Sequence, residues 1–365
     1  MRVLHVSGGL VYGGIERMLV TLASTPSNDM AQLFAVAPVA RLWRELHERG
    51  VDPVMLPSAR ASRPLSVLKA RRAFDRQLAE LAPDAAIFHG SWTHAMFAPV
   101  ARDRGALVVF WQHAPILNRH WPDRWASWTA PDVLIANSLF TARAPAFPNA
   151  LTRVIYCPVA APPAIVDDAR MAGRAALGAR EEDVVVLMAA RLEMLKGHHI
   201  LIDAAGQIQG TNAIVWIAGG VQRADEQAYF DRVERAAAAL GGRVRLLGDR
   251  ADVTHLMQLA DIYCQPNVAA ESFGIAIAEA MRAARPCIVS DVGGPAELVD
   301  ESCGMITAPG DTSGVAAAIA ALAEDPARRL AMGRAAAVRA HRMTDPAGRV
   351  SELADLLAME PAHGG

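Results

Sequence analysis

Two basic side chains stand five residues apart in the second half of the chain, directly after an apolar run that predicts a buried strand. They are Arg191 and Lys196, in the segment Ala189-Ala-Arg-Leu-Glu-Met-Leu-Lys-Gly197. Lysine is rare, because arginine fills all but two of the 36 basic positions. A planar guanidinium and a compact ammonium can together hold a diphosphate. The alternative interpretation is a pair of solvated surface cations.

Two glutamates bracket a glycine turn further along the chain. The segment Glu271-Ser-Phe273-Gly274-Ile275-Ala-Ile-Ala-Glu279 follows another predicted strand and leads into a predicted helix. The amides of Phe273, Gly274 and Ile275 would stand at the start of that helix, where backbone donors lack intrahelical partners. Glu279 would lie ~6–8 Å further along the helix axis. This order suits a ligand with hydroxyls at both ends and phosphate between; a dipole-stabilising glutamate plus a solvated one is the alternative.

Two further glycine turns each follow a predicted strand. One is Ser290-Asp-Val-Gly293-Gly294-Pro295-Ala-Glu297, and the other is Ser7-Gly8-Gly9-Leu-Val-Tyr-Gly13-Gly14 near the start of the chain. Glycines between a strand and a helix allow close approach of a ligand to the backbone. The spacing around Gly13 and Gly14 is neither a dinucleotide fingerprint nor a Walker loop, so a purely structural turn is an equal alternative there.

The elements that must position these residues alternate between short apolar runs and longer helical patterns. This alternation predicts an α/β fold of doubly wound, Rossmann-like parallel sheets. A proline-rich stretch from Cys157 to Asp168 predicts a linker. We therefore predict a domain over 1–160, a second over 161–345, and a C-terminal helix, 346–360, that packs back on the first. The predicted strands are 2–7, 33–37, 84–88, 106–111, 132–136 and 153–156, then 184–190, 213–218, 243–247, 261–265, 286–290 and 304–307.

Composition limits the remaining classes of protein. Hydrophobic residues make up 52% and charged residues 20% of the 365 positions, which supports buried cores and argues against disorder. The net charge of −2 gives no support to a nucleic-acid partner. No apolar run approaches the ~18–20 residues of a membrane span, and the first residues are typical of a strand rather than a signal peptide. A cytoplasmic protein is therefore expected.

From 184 to 310 the three motifs stand in the order found in retaining glycosyltransferase family 4, and the chain resembles that family over nearly its whole length. The motifs are Arg-x4-Lys-Gly, Glu-x7-Glu and Gly-Gly-Pro-x-Glu. The segments around Gly248 and Asp261 are also similar to the family's nucleotide-base region. The resemblance implies the GT-B fold, in which two Rossmann-like domains face each other across a cleft.

The resemblance also implies roles for the matching residues of the second half. Arg191 and Lys196 would neutralise the departing diphosphate. Glu271 would face sugar hydroxyls, with the amides of 273–275 beside it. Glu279 would accept hydrogen bonds from ribose hydroxyls.

In the first half, the resemblance implies that the loop with Gly13 and Gly14 closes over the diphosphate. His113, in Val-Val-Phe-Trp-Gln-His-Ala-Pro, would lie near the transferred sugar, although its surroundings depart from the family pattern and a core or surface histidine is the alternative. His89 is a weaker candidate on the acceptor side.

The implied activity is transfer of a sugar, with retention, from a nucleotide diphosphate-sugar to an acceptor hydroxyl. A UDP-sugar donor and a polysaccharide or glycolipid product are preferred from the family. The chain contains no Asp-x-Asp, so we expect no metal and no other cofactor. A sugar-nucleotide epimerase of GT-B shape and a catalytically silent sugar-nucleotide binder are the alternatives.

Two features concern the acceptor side. Residues 1–160 carry a net charge of +6 and the remainder −8, and a basic amphipathic helix is predicted near 64–81. Such a helix suits the surface of an anionic membrane or plain solvent. Five of the seven tryptophans lie between Trp92 and Trp128, as a platform for a sugar or lipid-linked acceptor or as ordinary core. Peripheral contact with the inner face of a membrane is therefore an additional expectation.

Overall fold

The computed structural model describes residues 1–116 and 120–359. The chain forms two compact units. The first contains Met1–Pro158 and the chain from Asp345 onward, and the second contains Val159–Thr344.

The first unit is built on a parallel sheet of seven strands in the order β3-β2-β1-β4-β5-β6-β7. The strands are β1 Arg2–Ser7, β2 Ala31–Val36, β3 Val54–Met55, β4 Ala85–Phe88, β5 Leu107–Gln112, β6 Val133–Ala136 and β7 Leu151–Val154. The helices are α1 Gly14–Ala23, α2 Ala40–His47, α3 Pro64–Leu81, α4 Ser91–Asp103, α5 Trp121–Ala126 and α6 Leu139–Ala142. Strands β4, β5 and β6 are buried along their whole length, as expected for a parallel sheet covered on both faces.

The second unit is built on a parallel sheet of six strands in the order β10-β9-β8-β11-β12-β13. The strands are β8 Val184–Ala189, β9 Ala213–Ala218, β10 Val244–Gly248, β11 Ile262–Gln265, β12 Cys287–Ser290 and β13 Gly304–Thr307. The helices are α7 Asp167–Ala176, α8 His198–Gln207, α9 Gln227–Ala239, α10 Val253–Leu259, α11 Ile275–Arg282, α12 Pro295–Leu298, α13 Thr312–Glu324 and α14 Pro326–Thr344. The last helix, α15 Pro346–Met359, belongs to the first unit and contacts α1.

Both sheets reverse their strand order at a central strand. In the first unit β1 lies between β2 and β4, and in the second unit β8 lies between β9 and β11. Ligands of such sheets bind beyond the carboxyl ends of the strands at this switch point. The loop with Gly13 and Gly14 follows β1, and the loops of Arg191 and Glu271 follow β8 and β11, at or beside these two points. The Gly293–Gly294 turn follows β12, one strand further along the sheet.

The prediction of two doubly wound parallel sheets is confirmed, and one local detail differs from it. The two-residue strand Val54–Met55 was not predicted, because so short an edge strand has no apolar periodicity. The alanine-rich stretch 315–341 is divided between α13 and α14, since Pro326 begins a new helix after Asp325. Among the described helices, none is both long and apolar enough to cross a bilayer.

Candidate active site

The loop after β8 contains the predicted pair Arg191 and Lys196 and runs to the end of the neighbouring strand β11. Arg191 follows the strand, and the chain makes one turn of 3₁₀ helix over Met194–Lys196. Gly197 then adopts φ +80°, and a Cβ atom there would lie 1.9 Å from the carbonyl oxygen of Pro266, the residue after β11. Only glycine therefore permits this loop to pack against the end of β11.

Lys196 and Glu271 form an ion pair across that contact. The lysine Nζ meets Oε2 of Glu271, and the two side chains are 13% and 19% exposed. Gln265, the last residue of β11, donates from Nε2 to the same carboxylate oxygen at 3.3 Å. The first two motifs, 75 residues apart in sequence, are thus joined by side-chain contacts.

Arg191 has a different carboxylate partner. Its Nη1 lies 2.8 Å from Oε1 of Glu193, and one third of its side chain is exposed. Both predicted diphosphate-binding cations are therefore neutralised by carboxylates of this chain. A bound diphosphate would compete with Glu193 and Glu271 for these cations.

The glycine turn after β12 packs against the backbone around Glu271. Gly293 adopts φ +79°, and a Cβ atom there would lie 2.2 Å from the carbonyl oxygen of Glu271. A Cβ atom at Gly294 would lie 2.3 Å from that of Ser272, and the Gly294 N–H donates to the Glu271 carbonyl at 2.8 Å. The two glycines thus let the loop after β12 press on the Glu271 backbone and fix its position.

Helix α11 begins at the second motif. Its N-cap is Gly274 in the left-handed region at φ +95°, and Phe273 before it is buried. Glu279 lies one turn into the helix and is partly buried. Burial raises the pKa of Tyr263 in β11 far above its usual value, and the carboxylates of Glu271 and Glu279 contribute to this shift. Both carboxylates therefore lie close enough to β11 for their charge to act on Tyr263.

Gly248, the remaining predicted donor-binding glycine, ends β10 with φ +69°. Its carbonyl accepts a hydrogen bond from the N–H of Gly219 at 2.8 Å. Sequence reasoning missed Gly219, where a Cβ atom would lie 2.0 Å from the carbonyl oxygen of Ala190. The signal was present, because the pair Gly219-Gly220 follows a predicted strand as the other glycine turns do. Gln265 was also missed as a partner of Glu271.

In the first unit, the loop with Gly13 and Gly14 already contains an acidic partner. Gly13 is the N-cap of α1, and its N–H donates to Oε2 of Glu16 at 2.9 Å. Glu16 is buried, so its carboxylate occupies the electropositive start of this helix. An additional anion at this position would meet the charge of Glu16.

Three histidines of the first unit form a hydrogen-bonded row, here called the histidine row: His5, His89 and His113. His5 lies in β1, His89 follows β4 and His113 follows β5. Nδ1 of His5 lies 3.0 Å from Nε2 of His89, whose Nδ1 lies 2.9 Å from Nε2 of His113. His5 was not predicted, although a histidine inside an apolar central strand was a visible signal.

The histidine row is electrically neutral at ordinary pH. Burial lowers the pKa of His5 to about 4 and that of His113 to about 3. Burial also lowers the pKa of His89 well below its usual value, and the two neighbouring imidazoles lower it further. Within residues 1–116 and 120–359, no group of three or more histidine, cysteine or acidic side chains is arranged to hold a metal ion.

The predicted residues therefore fall into two sets. Lys196, Glu271 and the start of α11 lie together in the second unit, with Arg191 in the same loop as Lys196. Gly13, Gly14, His89 and His113 belong to the first unit.

Residues 170–339 match the family model described as glycosyl transferases group 1. The second unit is a glycosyl transferases group 1 domain. The matched range contains Arg191, Lys196, Glu271 and Glu279, so the resemblance seen in these motifs is confirmed.

Curated relatives match a little under half of the chain. The phosphatidyl-myo-inositol mannosyltransferase of Mycolicibacterium smegmatis is 33% identical over 166 residues, which are 45% of this chain and 42% of that protein. The D-inositol 3-phosphate glycosyltransferase of Streptomyces avermitilis is 29% identical over 181 residues, 47% of this chain and 39% of the relative. The similarity thus spans about two fifths of the length of these relatives.

Solved structures match nearly the whole chain. The Anabaena protein HepE in complex with UDP has a TM-score of 0.85 at 24% identity, over 98% of this chain and 100% of that one. A glycosyltransferase from Rickettsia africae has a TM-score of 0.85 at 15% identity, over 100% and 99% of the two chains. At these identities the similarity shows the fold, which is GT-B as predicted.

Proposed function

We propose that the chain is a retaining, metal-independent glycosyltransferase that moves a sugar from a nucleotide diphosphate-sugar to an acceptor hydroxyl. One observation carries the proposal: a group 1 domain in which Lys196 and Glu271 meet beside the glycine-capped start of α11. A cation, a carboxylate and the backbone amides of a helix start are the groups needed for a sugar joined to a diphosphate.

In the proposed reaction, the bond between the anomeric carbon and the diphosphate oxygen breaks while the acceptor oxygen bonds to that carbon from the same face. Attack on the same face retains the configuration of the anomeric carbon. The departing phosphate oxygen takes the acceptor's proton, so the products carry the same total charge as the reactants. Lys196 and Arg191 stabilise the growing negative charge, and Glu271 exchanges its lysine contact for sugar hydroxyls. Glu279 accepts from ribose hydroxyls, and His113 accepts from the transferred sugar.

The donor and acceptor classes follow from the named relatives and the motifs. HepE was solved with UDP and with UDP-glucose, which supports a UDP-sugar as donor here. The relatives named for inositol-containing acceptors support a sugar or lipid-linked polyol hydroxyl, in glycolipid or polysaccharide synthesis. The two cations would supply the charge that a divalent metal supplies where Asp-x-Asp is present, so no metal is required.

The proposal is tested by incubating the chain with UDP-glucose, GDP-mannose or ADP-glucose and with phosphatidylinositol vesicles or a short glucan, in EDTA. We expect free UDP and a glycosylated product whose anomeric configuration, read by NMR, matches the donor. An isomerised donor would instead show an epimerase, and tight binding without any product would show a silent binder. Activity that depends on added Mg²⁺ would overturn metal independence.

A surface of the first unit supports peripheral contact with an anionic membrane. Helix α3 and helix α5 line a groove of about 480 Å³ with Val67, Leu68, Trp121, Trp125 and Trp128. Trp121 is 58% exposed and Trp128 is 82% exposed, and Leu65 and Leu68 on α3 are also exposed. Exposed indoles beside aliphatic side chains favour the interface of a bilayer.

The charge around this groove supports the same partner. The exposed side chains of α3 and of the loop before it include Arg63, Lys69, Arg72 and Arg76. Basic residues near a membrane each contribute about 1 kcal/mol of attraction to anionic lipid.

Co-sedimentation with vesicles tests this contact. We expect binding to vesicles rich in phosphatidylglycerol, weaker binding in high salt, and loss of binding in the variant W121S/W128S. The variant Leu330→Ser, which removes an exposed apolar side chain from the second unit, should bind as the wild type does. Equal binding by all three proteins, or none by the wild type, would overturn the proposal.

A further inference from the structure

The histidine row can hold its protons in only two arrangements. A neutral imidazole carries one N–H, so one ring nitrogen donates and the other accepts. His89 uses both nitrogens, toward His5 and toward His113. The two hydrogen bonds therefore run in the same direction, either from His5 outward or from His113 inward. The direction decides whether Nδ1 of His113 is a donor or an acceptor.

Gln32 in β2 favours one direction. Its Nε2 donates to the carbonyl oxygens of Leu22 and Thr25 at 2.9 and 3.4 Å, which fixes the orientation of the amide and leaves Oε1 at the opposite corner. Among the described residues, neither this buried Oε1 nor the buried Nε2 of His5 has a hydrogen-bond partner. In the parallel pairing of β1 with β2, Gln32 stands diagonally next to His5 on the same face of the sheet. Gln32 also raises the pKa of His5, against the larger effect of burial. An amide oxygen only accepts, so it favours a proton on Nε2 of His5.

We propose that Gln32 is a positioning residue that acts through the histidine row to leave Nδ1 of His113 as a hydrogen-bond acceptor. A proton on Nε2 of His5 makes its Nδ1 accept from Nε2–H of His89. Nδ1 of His89 then accepts from Nε2–H of His113. The outer nitrogen carries a lone pair and no charge, which is the chemistry that receives a sugar hydroxyl. This inference rests on the proposed function, which gives His113 that partner.

The tautomers can be measured without any activity. In protein labelled with ¹⁵N in its histidine side chains, long-range ¹H–¹⁵N NMR separates protonated from bare ring nitrogens. We expect Nε2–H at His5, His89 and His113 in the wild type. The variant Gln32→Met removes the acceptor at similar size, and we expect it to populate the opposite tautomer at His113. His94, a buried histidine outside the row, is the internal control and should not change.

Two outcomes overturn the inference: Nδ1–H at His113 in the wild type, or an unchanged His113 tautomer in the variant. If Gln32→Met does not fold, His5→Phe keeps a ring stacked on Phe34 and removes the acceptor for His89. The same change at His113 is then expected, and an unchanged tautomer again overturns the inference.

Kinetics separate this inference from the proposed function. If both hold, Gln32→Met lowers kcat about three- to tenfold and leaves the donor KM unchanged, since a positioning residue acts on orientation rather than on donor affinity. If the NMR result is as expected but neither wild type nor variant transfers sugar, the histidine row behaves as inferred and the proposed function is wrong.

Discussion

The two units share the same order of strands but carry different side chains at corresponding strand ends. Strands β1, β4 and β5 of the first unit correspond in sheet order to β8, β11 and β12 of the second. The first set carries the neutral, largely buried histidine row. The second set carries Arg191 and Lys196, each paired with a carboxylate.

This difference shows that the fold determines where a site lies and the side chains determine what it binds. Neutral imidazoles exchange hydrogen bonds with hydroxyl groups without bringing net charge. Fixed cations beside a helix start attract phosphate. If the first unit binds hydroxyl groups and the second binds phosphate, substitutions at charged positions of the second unit should change stability and activity the most.

The largest effect is expected from Asp261→Asn, just before β11. The carboxylate pairs with Arg170 and Arg174 at 2.7 and 2.8 Å and accepts from the N–H of Val185 at 2.8 Å. Burial raises the pKa of Asp261, but its bonds to Arg174 and the backbone outweigh this and hold the pKa below its usual value. The substitution leaves the buried charge of Arg174 without its carboxylate, with only backbone carbonyls of the described residues as partners. The free energy of unfolding should therefore fall by about 3–5 kcal/mol in urea titrations.

The control for Asp261 is Asp75→Asn in the first unit, which breaks an exposed pair with Arg104. Because that pair is solvated, little change in unfolding is expected. The stabilisation from Asp261 should also persist at neutral pH and disappear as the pH falls through its lowered pKa. Equal stability losses in the two variants would contradict the view that the ion pairs of Asp261 stabilise the second unit.

The next largest effect is expected from Lys196→Met. Removing a preorganised charge from the departing diphosphate should lower kcat/KM for sugar transfer by about 10²–10³-fold. The control is Arg328→Met, which removes an exposed cation from α14 of the same unit and should leave kcat/KM unchanged.

A double variant separates catalysis from structure at this pair. If the contact between Lys196 and Glu271 is only structural, adding Glu271→Gln removes the unpaired charge and should restore activity. If both side chains meet the donor, the double variant stays as inactive as Lys196→Met. The thermal midpoint of each variant shows whether the fold is retained.

The sequence predicted the sheets and the motifs well because their signals are local. Apolar runs and strand-following glycines mark β8, β11 and β12 without any knowledge of contacts. The partner of each cation depends instead on loop conformation. The contact between Lys196 and Glu271 could therefore not be predicted, because 75 residues separate them in the sequence. The histidine row was missed for the same reason, since strand order brings β1, β4 and β5 together while the sequence separates them.

A smaller effect is expected from His94→Phe. This variant tests how much folding stability the first unit loses at low pH because a buried histidine stays neutral. Burial lowers the pKa of His94 to about 4, while an unfolded histidine titrates near 6.5. The unfolded state therefore binds more protons below pH 6.5, and stability falls as the pH drops toward 4. The ring packs against Phe88, Phe110 and Phe147, so phenylalanine should be accommodated.

Between pH 7.5 and 5, the His94→Phe variant should lose about 2 kcal/mol less stability than the wild type. Tryptophan fluorescence follows the first unit, which contains six of the seven tryptophans. An identical pH dependence of the two proteins would show that His94 does not contribute to acid sensitivity.

The smallest effect is expected from Glu279→Gln on binding of UDP alone. A hydrogen bond from ribose hydroxyls to a charged acceptor should become weaker, so calorimetry should show about tenfold lower affinity, or roughly 1.4 kcal/mol. Glu234→Gln, an exposed change on α9, is the matched control. UDP lacks the transferred sugar that His113 is proposed to contact, so His113→Phe should leave the affinity for UDP unchanged. A loss of UDP affinity in His113→Phe would mean that nucleotide recognition is not confined to the second unit. An unchanged affinity in Glu279→Gln would mean that Glu279 does not bind the ribose hydroxyls.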